Sequence, residues 1–268
     1  MSEADKVFAG SIPENYDRNM VPLIFAAYAR DIAQRVAALA PKAVLETAAG
    51  SGVVTRAVAS VLSADASYVV TDLNQPMLDY AQSKQGADSR IRWHQADAQA
   101  LPFEDAAFDV VCCQFGAMFF PDRPSGYREA KRVLKRGGCF LFSVWDRIEE
   151  NVFADDVTKA LAEFFPNDPP RFMARTPHGY HDTALIRSDL AKAGFTDVTI
   201  ETLAAQSRAP SPRYVALAYC QGTPLRNEIE SRGNLEAATD HAASVIASRY
   251  GSGEVSAKIQ AHVILART

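Results

Sequence analysis

The sequence predicts an α/β fold in which a mostly parallel β-sheet is covered by helices on both faces. Segments with strand and helix patterns alternate regularly between residues 43 and 146. The strand-like segments are apolar almost throughout, which is typical of parallel strands buried on both faces. The first of them runs directly into a glycine-containing turn and a helix. Together these observations favour a sheet built from strand-turn-helix units.

The first unit begins after an N-terminal helix. The segment ARDIAQRVAAL, from Ala29, has apolar residues at helical spacing, and Pro41 ends that helix. The strand AVLET follows at residues 43–47, and the turn AAGSG connects it to the helical segment VVTRAVASVL. We therefore expect the first strand to end beside the glycine turn.

The alternation then continues to the end of the fifth predicted strand. The later strands are ASYVVTD, IRWHQAD, DVVCCQF and CFLFSVWD. The helices between them include QPMLDYAQSK and PSGYREAKRVLK, and Gly137 and Gly138 are expected to break the second of these before the fifth strand.

The pattern changes after Asp146. Two helical segments, NVFADDVTKALAEFF and DTALIRSDLAKAG, flank a proline-rich loop. Two further strands are predicted near residues 197–203 and 259–266, with helices between residues 212 and 250. Because no flexible linker separates these parts, the sequence favours one domain over residues 1–268.

Composition and charge exclude several classes of protein. The chain has 28 Lys and Arg against 32 Asp and Glu, a net charge of −4 and no run of like charges, so a nucleic-acid partner is not expected. The N-terminus lacks the basic start and apolar stretch of a signal peptide. No apolar run approaches the roughly 18 residues of a membrane span. We expect a cytoplasmic protein.

The cysteines and histidines do not predict a metal site. The cysteines are predicted to be reduced core residues, and they are Cys112, Cys113, Cys139 and Cys220. His178 and His181 are too few for a zinc site. Either histidine is a candidate general base, but a solvated loop histidine is the favoured interpretation.

Acidic residues follow three successive strands at the edge where ligands bind in such sheets. Glu46 lies near the end of the first strand, Asp72 ends the second and Asp97 ends the third. Gly50 and Gly52 in the first turn allow a ligand to approach the backbone closely. Since an acid about 20 residues beyond such a turn accepts hydrogen bonds from ribose hydroxyls, this combination predicts an adenosine-containing ligand.

Two cofactor classes fit this pattern, and the turn favours one of them. Dinucleotide sites need GxGxxG for their pyrophosphate, whereas here Thr55 stands at the third position. In addition, Asp97 has no standard role in a dinucleotide site.

The ordered series of motifs resembles the class I S-adenosylmethionine-dependent methyltransferases, in particular the subgroup with the ubiquinone and menaquinone biosynthesis enzymes. The resemblance rests on VLETAAGSG, VVTDLNQPML, QADAQALPFEDAAFDVVCCQF and REAKRVLKRGGCFLFSVWD, and it spans about residues 43–146. It implies a Rossmann-like, doubly wound, mostly parallel seven-stranded sheet with an antiparallel last strand and added lid helices.

The resemblance also implies an organisation along the chain and a cofactor, S-adenosyl-L-methionine. Residues 1–42 would form N-terminal lid helices, residues 43–146 the cofactor-binding core, and residues 147–268 a substrate-side insertion with the last two strands. This sequence departs from the family's first motif at two positions: Glu46 replaces the usual Asp, and Ala48 replaces the usual first glycine. Ala48 would be strained at positive φ, which would affect cofactor affinity.

The same resemblance assigns roles to single residues. Gly50 would lie beside the methionine portion, Asp72 would bind the ribose hydroxyls, and Asp97 the adenine amino group. The other assigned residues would pack on the adenosine, meet the methionine amine or border the methyl group, and they are Leu73, Met77, Ala98, Gln114 and Phe115.

The N-terminal segment at residues 8–28 is expected to close over the cofactor. Its Tyr16 would lie near the methionine end, where its ring would shield the sulfonium. An outer helix covering the sheet is the alternative interpretation.

Methyl transfer to a small, partly apolar acceptor by in-line displacement is therefore the predicted function. A cluster of apolar residues after the fourth strand is expected to supply one or two contacts to the acceptor, and it comprises Phe115, Met118, Phe119 and Phe120. Two alternatives stay open at this point: a nucleotide-linked oxidoreductase and a non-catalytic S-adenosylmethionine-binding regulator.

Overall fold

Seven β-strands form one sheet in the computed structural model, which describes residue 14 and residues 16–268. In chain order the strands are β1 (Ala43–Glu46), β2 (Ser67–Asp72), β3 (Ile91–Gln95), β4 (Phe108–Gln114), β5 (Leu134–Trp145), β6 (Asp197–Ala209) and β7 (Val255–Arg267). Their order in the sheet is β3-β2-β1-β4-β5-β7-β6.

The sheet is mostly parallel. β1 pairs in parallel with β2 and β4, and parallel pairs also join β2 with β3 and β4 with β5. β7 lies between β5 and β6 and is antiparallel to both. The predicted Rossmann-like sheet of seven strands with an antiparallel last strand is therefore confirmed.

Helices cover both faces of this sheet. They follow a π-helix at Tyr16–Phe25 and are α1 (Ala26–Ala38), α2 (Val53–Ala59), α3 (Gln75–Gln85), α4 (Arg123–Val133), α5 (Val152–Phe164), α6 (Phe172–Arg175), α7 (Thr183–Lys192), α8 (Pro212–Gln221), α9 (Leu225–Glu230) and α10 (Leu235–Tyr250). Within the described residues, no helix is long and apolar enough to cross a membrane.

Apolar side chains on the two faces of the sheet form two buried cores. One contains Val44, Val58 and Tyr68, and α1 packs into it through Ile32 and Val36. The other is larger and includes side chains of β5, the π-helix and the helices after residue 150. Because α1 and the π-helix are continuous, one N-terminal element contacts both cores.

Three element boundaries differ from the sequence prediction. β5 begins at Leu134, so Gly137 and Gly138 lie inside the strand instead of breaking a helix before it. Gly137 has φ of 78°, and the register with β4 shifts between Phe108 and Val110. The glycines therefore allow the pairing of β4 with β5 to be irregular at this point. β6 and β7 are also longer than predicted, because they pair with each other over 13 residues each.

The topology fixes where ligands approach. The strand order reverses between β1 and β4, and the parallel strands β1, β2, β3 and β4 end at the same edge. Glu46, Asp72 and Gln114 are the last residues of β1, β2 and β4. A cleft at this edge is the usual ligand site of doubly wound sheets.

Candidate active site

All of the cofactor-site residues predicted from the sequence line one cavity at this edge. The cavity, counted together with the open solvent at its mouth, encloses about 1080 Å³. The predicted residues that line it are Tyr16, Glu46, Ala48, Gly50, Asp72, Leu73, Met77, Asp97, Ala98, Gln114 and Phe115. Sequence reasoning missed other lining residues, among them Phe25, Asn74 and Gln99. The fold therefore brings the predicted set together.

The turn after β1 has left-handed backbone geometry at three residues. Ala48, Gly50 and Gly52 have φ of 54°, 58° and 82°. A Cβ on Gly52 would lie 2.8 Å from Ala81 Cβ, so this glycine lets α2 pack closely against α3. Ala48 has the positive φ at which strain was anticipated, and such a conformation costs an L-residue about 1 to 2 kcal/mol. The chain maintains this strain beside the cavity.

Asp72 is fixed by two backbone amides. Gly50 N donates to Oδ2 and Asn74 N donates to Oδ1, both at 2.8 Å. The residue is only 6% exposed, and this burial raises the pKa of the Asp72 carboxyl, while the two amides act in the opposite direction. The carboxyl group therefore has a defined orientation at the cavity wall.

Glu46 is also buried, and two hydroxyl groups hold it. Thr55 Oγ1 donates to Glu46 Oε2 at 2.7 Å, and the Tyr68 hydroxyl donates to the same oxygen. Burial raises the pKa of Glu46 to about 7, against the opposing effect of these hydrogen bonds. Glu46 therefore titrates near neutral pH.

Asp97 differs from the other two acids because it is exposed. Gln99 N donates to Asp97 Oδ1 at 2.9 Å, which fixes the carboxylate at the start of a tight turn. Leu73, on the neighbouring loop, is 46% exposed although it is apolar. An acceptor oxygen beside exposed apolar surface suits a flat heteroaromatic ring that carries a hydrogen-bond donor.

The end of β4 contributes an orphaned polar atom. Gln114 Nε2 donates to Phe25 O at 3.4 Å, but Gln114 Oε1 is buried without a hydrogen-bond partner among the described residues. Because an unpaired buried acceptor is costly, this oxygen is available to a ligand donor. Next to it, the Phe115 ring stacks on Trp145 with the ring centroids 3.8 Å apart.

Tyr16 brings the N-terminal π-helix to the cavity. Its ring stacks on Phe25 with centroids 5.0 Å apart. Burial, and to a smaller extent the charge of Asp72, raises the pKa of the Tyr16 hydroxyl. The segment expected to close over the cofactor begins at residue 8, so its first part lies outside the described residues, while Tyr16 and Phe25 line the cavity.

The charges of the cavity discriminate between ligand classes. Three acids line it, Glu46, Asp72 and Asp97, and none of the described lining residues is basic. A pyrophosphate would face carboxylates without compensation, whereas a ligand with positive charge is favoured. S-adenosylmethionine has a sulfonium, an ammonium and an adenosine, so the residues present fit this cofactor.

A second, apolar cavity adjoins the first, and counted together with the open solvent at its mouth it encloses about 390 Å³. The two cavities share Tyr16, Phe25, Phe115 and Phe119. The remaining residues of the second cavity come from five separate parts of the chain and are Met20, Ile24, Met118, Trp145, Phe172, Met173, Pro177, Thr223 and Pro224. None of these described residues is charged.

The histidines considered as bases lie outside both cavities. His178 Nδ1 is 2.9 Å from Asp146 O, and burial lowers the pKa of His178 to about 4. His181 Nδ1 is 2.9 Å from His178 O. The described part of the chain has no group of three or more His, Cys, Asp or Glu arranged to hold a metal ion.

Comparison with known proteins identifies the family. A model of the methyltransferase domain matches residues 45–142, which include the end of β1, the glycine turn and the acids Glu46, Asp72 and Asp97. The ubiquinone/menaquinone biosynthesis C-methyltransferase UbiE of Ectopseudomonas mendocina is 28% identical over 172 residues, covering 60% of this chain and 67% of the relative. The chain is a class I S-adenosylmethionine-dependent methyltransferase.

Solved structures agree with this methyltransferase in fold. The YcgJ protein of Bacillus subtilis has a TM-score of 0.57 at 19% identity, covering 90% of this chain and 98% of its own. A SAM-dependent methyltransferase of Thermotoga maritima has a TM-score of 0.54 at 15% identity, covering 95% of this chain and 96% of its own. The cofactor of the methyltransferase is S-adenosylmethionine, and the oxidoreductase alternative is set aside.

Proposed function

We propose that this methyltransferase methylates a small, largely apolar acceptor that binds in the second cavity. One observation carries the proposal: an uncharged cavity shares a wall of four aromatic residues with the cavity that suits the cofactor. An apolar acceptor would gain about 25 cal/mol for each Å² of surface that it buries there. A charged acceptor would lose hydration without finding a partner among the described lining residues.

In this proposal the acids and the orphaned amide orient the cofactor. Asp72 would accept hydrogen bonds from the ribose hydroxyls, because its carboxyl group is already aimed by two amides. Asp97 would accept from the adenine amino group, and Gln114 Oε1 would accept from the methionine amine. Charge-assisted bonds of this kind are roughly twice as strong as neutral ones.

The apolar and small residues would complete the cofactor site. Leu73 and Met77 would pack on the adenosine, with Ala98 at the edge of the ring. Gly50 and Ala48 would lie beside the methionine portion, where small side chains leave the backbone accessible.

The bound cofactor supplies an activated methyl group on a good leaving group, so the protein mainly has to align the acceptor and exclude water. Phe115 and Phe119 line both cavities and would direct the acceptor toward the cofactor. Tyr16 and Phe25 would shield the opposite side. This arrangement supports in-line displacement at the boundary of the two cavities.

Turnover on a panel of acceptors graded in size and charge tests the proposal. Met173→Trp should fill the second cavity and reduce kcat/KM at least tenfold for the larger acceptors, with S-adenosylhomocysteine affinity unchanged, because Met173 lines only that cavity. Met173→Ala should shift the preference toward larger acceptors. Leu185→Ala, on the exposed surface, is the control. Equal turnover of apolar and charged acceptors would contradict the proposal.

A further inference from the structure

Two parts of the second cavity wall come from short helices that follow the sheet residues along the chain. Phe172 and Met173, the first two residues of α6, line this cavity. Thr223 and Pro224, directly before α9, line it as well. Because α6 has only four residues, it depends on tertiary contacts for its stability. The place of Phe172 and Met173 at the cavity therefore depends on what holds this helix.

One side chain of α9, that of Glu228, holds the start of α6. Its Oε2 accepts hydrogen bonds from the backbone N–H groups of Arg171 and Phe172, at 2.7 and 3.1 Å. Arg175 Nη1, from the last residue of α6, donates to Oε1 at 2.9 Å. Both carboxylate oxygens are thus engaged by α6, and the Glu228 side chain is only 19% exposed.

This contact replaces a helix cap that α6 lacks. The first N–H groups of a helix have no partner within it, and the side chain of the preceding residue usually supplies an acceptor. Before α6 that residue is Arg171, which makes no capping hydrogen bond with its side chain. Glu228 supplies the acceptor from another helix, and its negative charge suits a helix N-terminus. The cap therefore couples α6 to α9.

A second contact joins the two helices and does not involve the Glu228 carboxylate. Arg232, just after α9, donates from Nε to Asp168 O and from Nη1 to the backbone oxygen of Glu228, both at 2.8 Å. It binds the loop before α6 and leaves the helix start to Glu228. We therefore expect this loop to stay attached to α9 when the Glu228 side chain is replaced.

We propose that Glu228 is a positioning residue for the acceptor, because it caps α6 and so keeps Phe172 and Met173 at the wall of the second cavity. Without the carboxylate, two N–H groups lose their acceptor, and α6 occupies its place in only a fraction of the molecules. A ligand of the cavity then binds more weakly in proportion to that fraction. The inference rests on the proposed function, and Glu228 itself lines neither cavity.

Binding of naphthalene, an uncharged apolar probe, tests the inference. The protein is first saturated with S-adenosylhomocysteine, which fills the cofactor cavity, and a fluorescence titration then gives the dissociation constant of naphthalene. Met173→Trp should block the probe and thereby assign it to the second cavity. Glu228→Ala should weaken naphthalene binding by about threefold to tenfold, with the affinity for S-adenosylhomocysteine unchanged.

Two further variants separate positioning from a general loss of stability. Glu228→Gln keeps an oxygen that can accept from the two N–H groups, so it should restore most of the naphthalene affinity. Asp182→Ala is the matched control, because Asp182 caps α7 through Ala184 N and Leu185 N and lines neither cavity. It should lower the midpoint of urea unfolding about as much as Glu228→Ala does, yet bind naphthalene like the parent.

Two results would overturn the inference while the proposed function stands. They are unchanged naphthalene affinity in Glu228→Ala, and an equal loss of affinity in Asp182→Ala, which would reflect stability alone. In both cases the parent still binds the probe in the second cavity. If the parent does not bind naphthalene, or if Met173→Trp binds it normally, the proposed function fails together with the inference.

Discussion

Asp17 and Arg56 form an ion pair with 2.8 Å between Asp17 Oδ1 and Arg56 Nη2, and this pair joins the π-helix to α2. Arg56 Nη1 also donates to Ser51 O at 2.8 Å, in the turn that lines the cofactor cavity. Tyr80, on α3, donates its hydroxyl proton to Asp17 Oδ2 at 3.3 Å. The N-terminal segment is thus attached to the two helices that flank the cofactor cavity.

We predict that Asp17→Asn loosens this attachment. Since the pair is only partly buried, we expect a loss of about 0.2 to 1 kcal/mol in the docking of the segment. Hydrogen exchange of residues 16–25 should be faster than in the parent, and S-adenosylhomocysteine should restore much of the protection. Unchanged exchange with and without ligand would mean that the segment is a static cover of the sheet.

Removal of the N-terminal segment should have a stronger effect than Asp17→Asn. Deletion of residues 1–19 removes Tyr16 and Asp17, so it should abolish methyl transfer while the sheet stays folded by far-UV circular dichroism. The point variant Tyr16→Ala serves as the matched control, because it removes only one of the four rings that line both cavities. Normal turnover in the deletion variant would rule out a lid function.

Replacement of Asp72 should weaken the binding of S-adenosylmethionine. We expect Asp72→Ala to cost about 1 to 3 kcal/mol, because the ribose hydroxyls and the amides of Gly50 and Asn74 all lose their acceptor. Asp72→Asn retains an acceptor oxygen and should cost less. Calorimetric affinities equal to that of the parent would show that Asp72 does not bind the ribose.

Asp97→Asn tests the proposed contact with adenine. A neutral amide accepts less strongly and can present its NH₂ group, so affinity should fall and selectivity should relax. The measurement is the affinity of the parent and of the variant for the adenosine and inosine forms of S-adenosylhomocysteine. If the variant discriminates between the two forms as sharply as the parent, the contact does not exist.

Glu46 also makes stability depend on pH. Its pKa is raised from 4.5 to about 7 in the folded protein, so the folded state binds more protons than the unfolded state between these values. Stability associated with Glu46 is therefore complete below pH 4.5 and is lost as the pH rises through about 7.

Glu46→Gln removes this loss of stability, because the glutamine side chain cannot ionise. We expect the ligand-free variant to be more stable than the parent by about 1 to 3 kcal/mol at pH 8, with the difference vanishing near pH 4.5. Urea unfolding at the two pH values is the measurement. A variant that is less stable at pH 8 would show that the ionised carboxylate is itself favourable in the fold.

The cofactor side of the site was predictable because its residues follow strands. Strand patterns placed Glu46, Asp72 and Gln114 at one edge of the sheet, where parallel topology necessarily brings strand ends together. The partners of Glu46 were not predictable in this way. Thr55 could be recognised only as a residue that replaces a glycine, and Tyr68 only as part of an apolar strand.

The second cavity shows where sequence patterns stop being informative. Phe172, Met173, Thr223 and Pro224 come from short helices and loops after residue 147. These residues are distant along the chain and have no common periodicity, and only tertiary packing brings them together. Likewise, Phe25 lies in a π-helix, whose spacing does not follow the 3.6-residue period used to recognise helices.

Phe115 combines a strained backbone with a ring between the cavities. Its φ of 54° is in the left-handed region, which disfavours any residue with a large side chain. Glycine or asparagine would adopt this conformation more easily, but neither could replace the ring that stacks on Trp145. Loss of a buried phenylalanine ring costs about 3 to 5 kcal/mol, which exceeds the strain of about 1 to 2 kcal/mol for a residue in the left-handed region. Selection for heat resistance would therefore retain this phenylalanine together with its strained backbone.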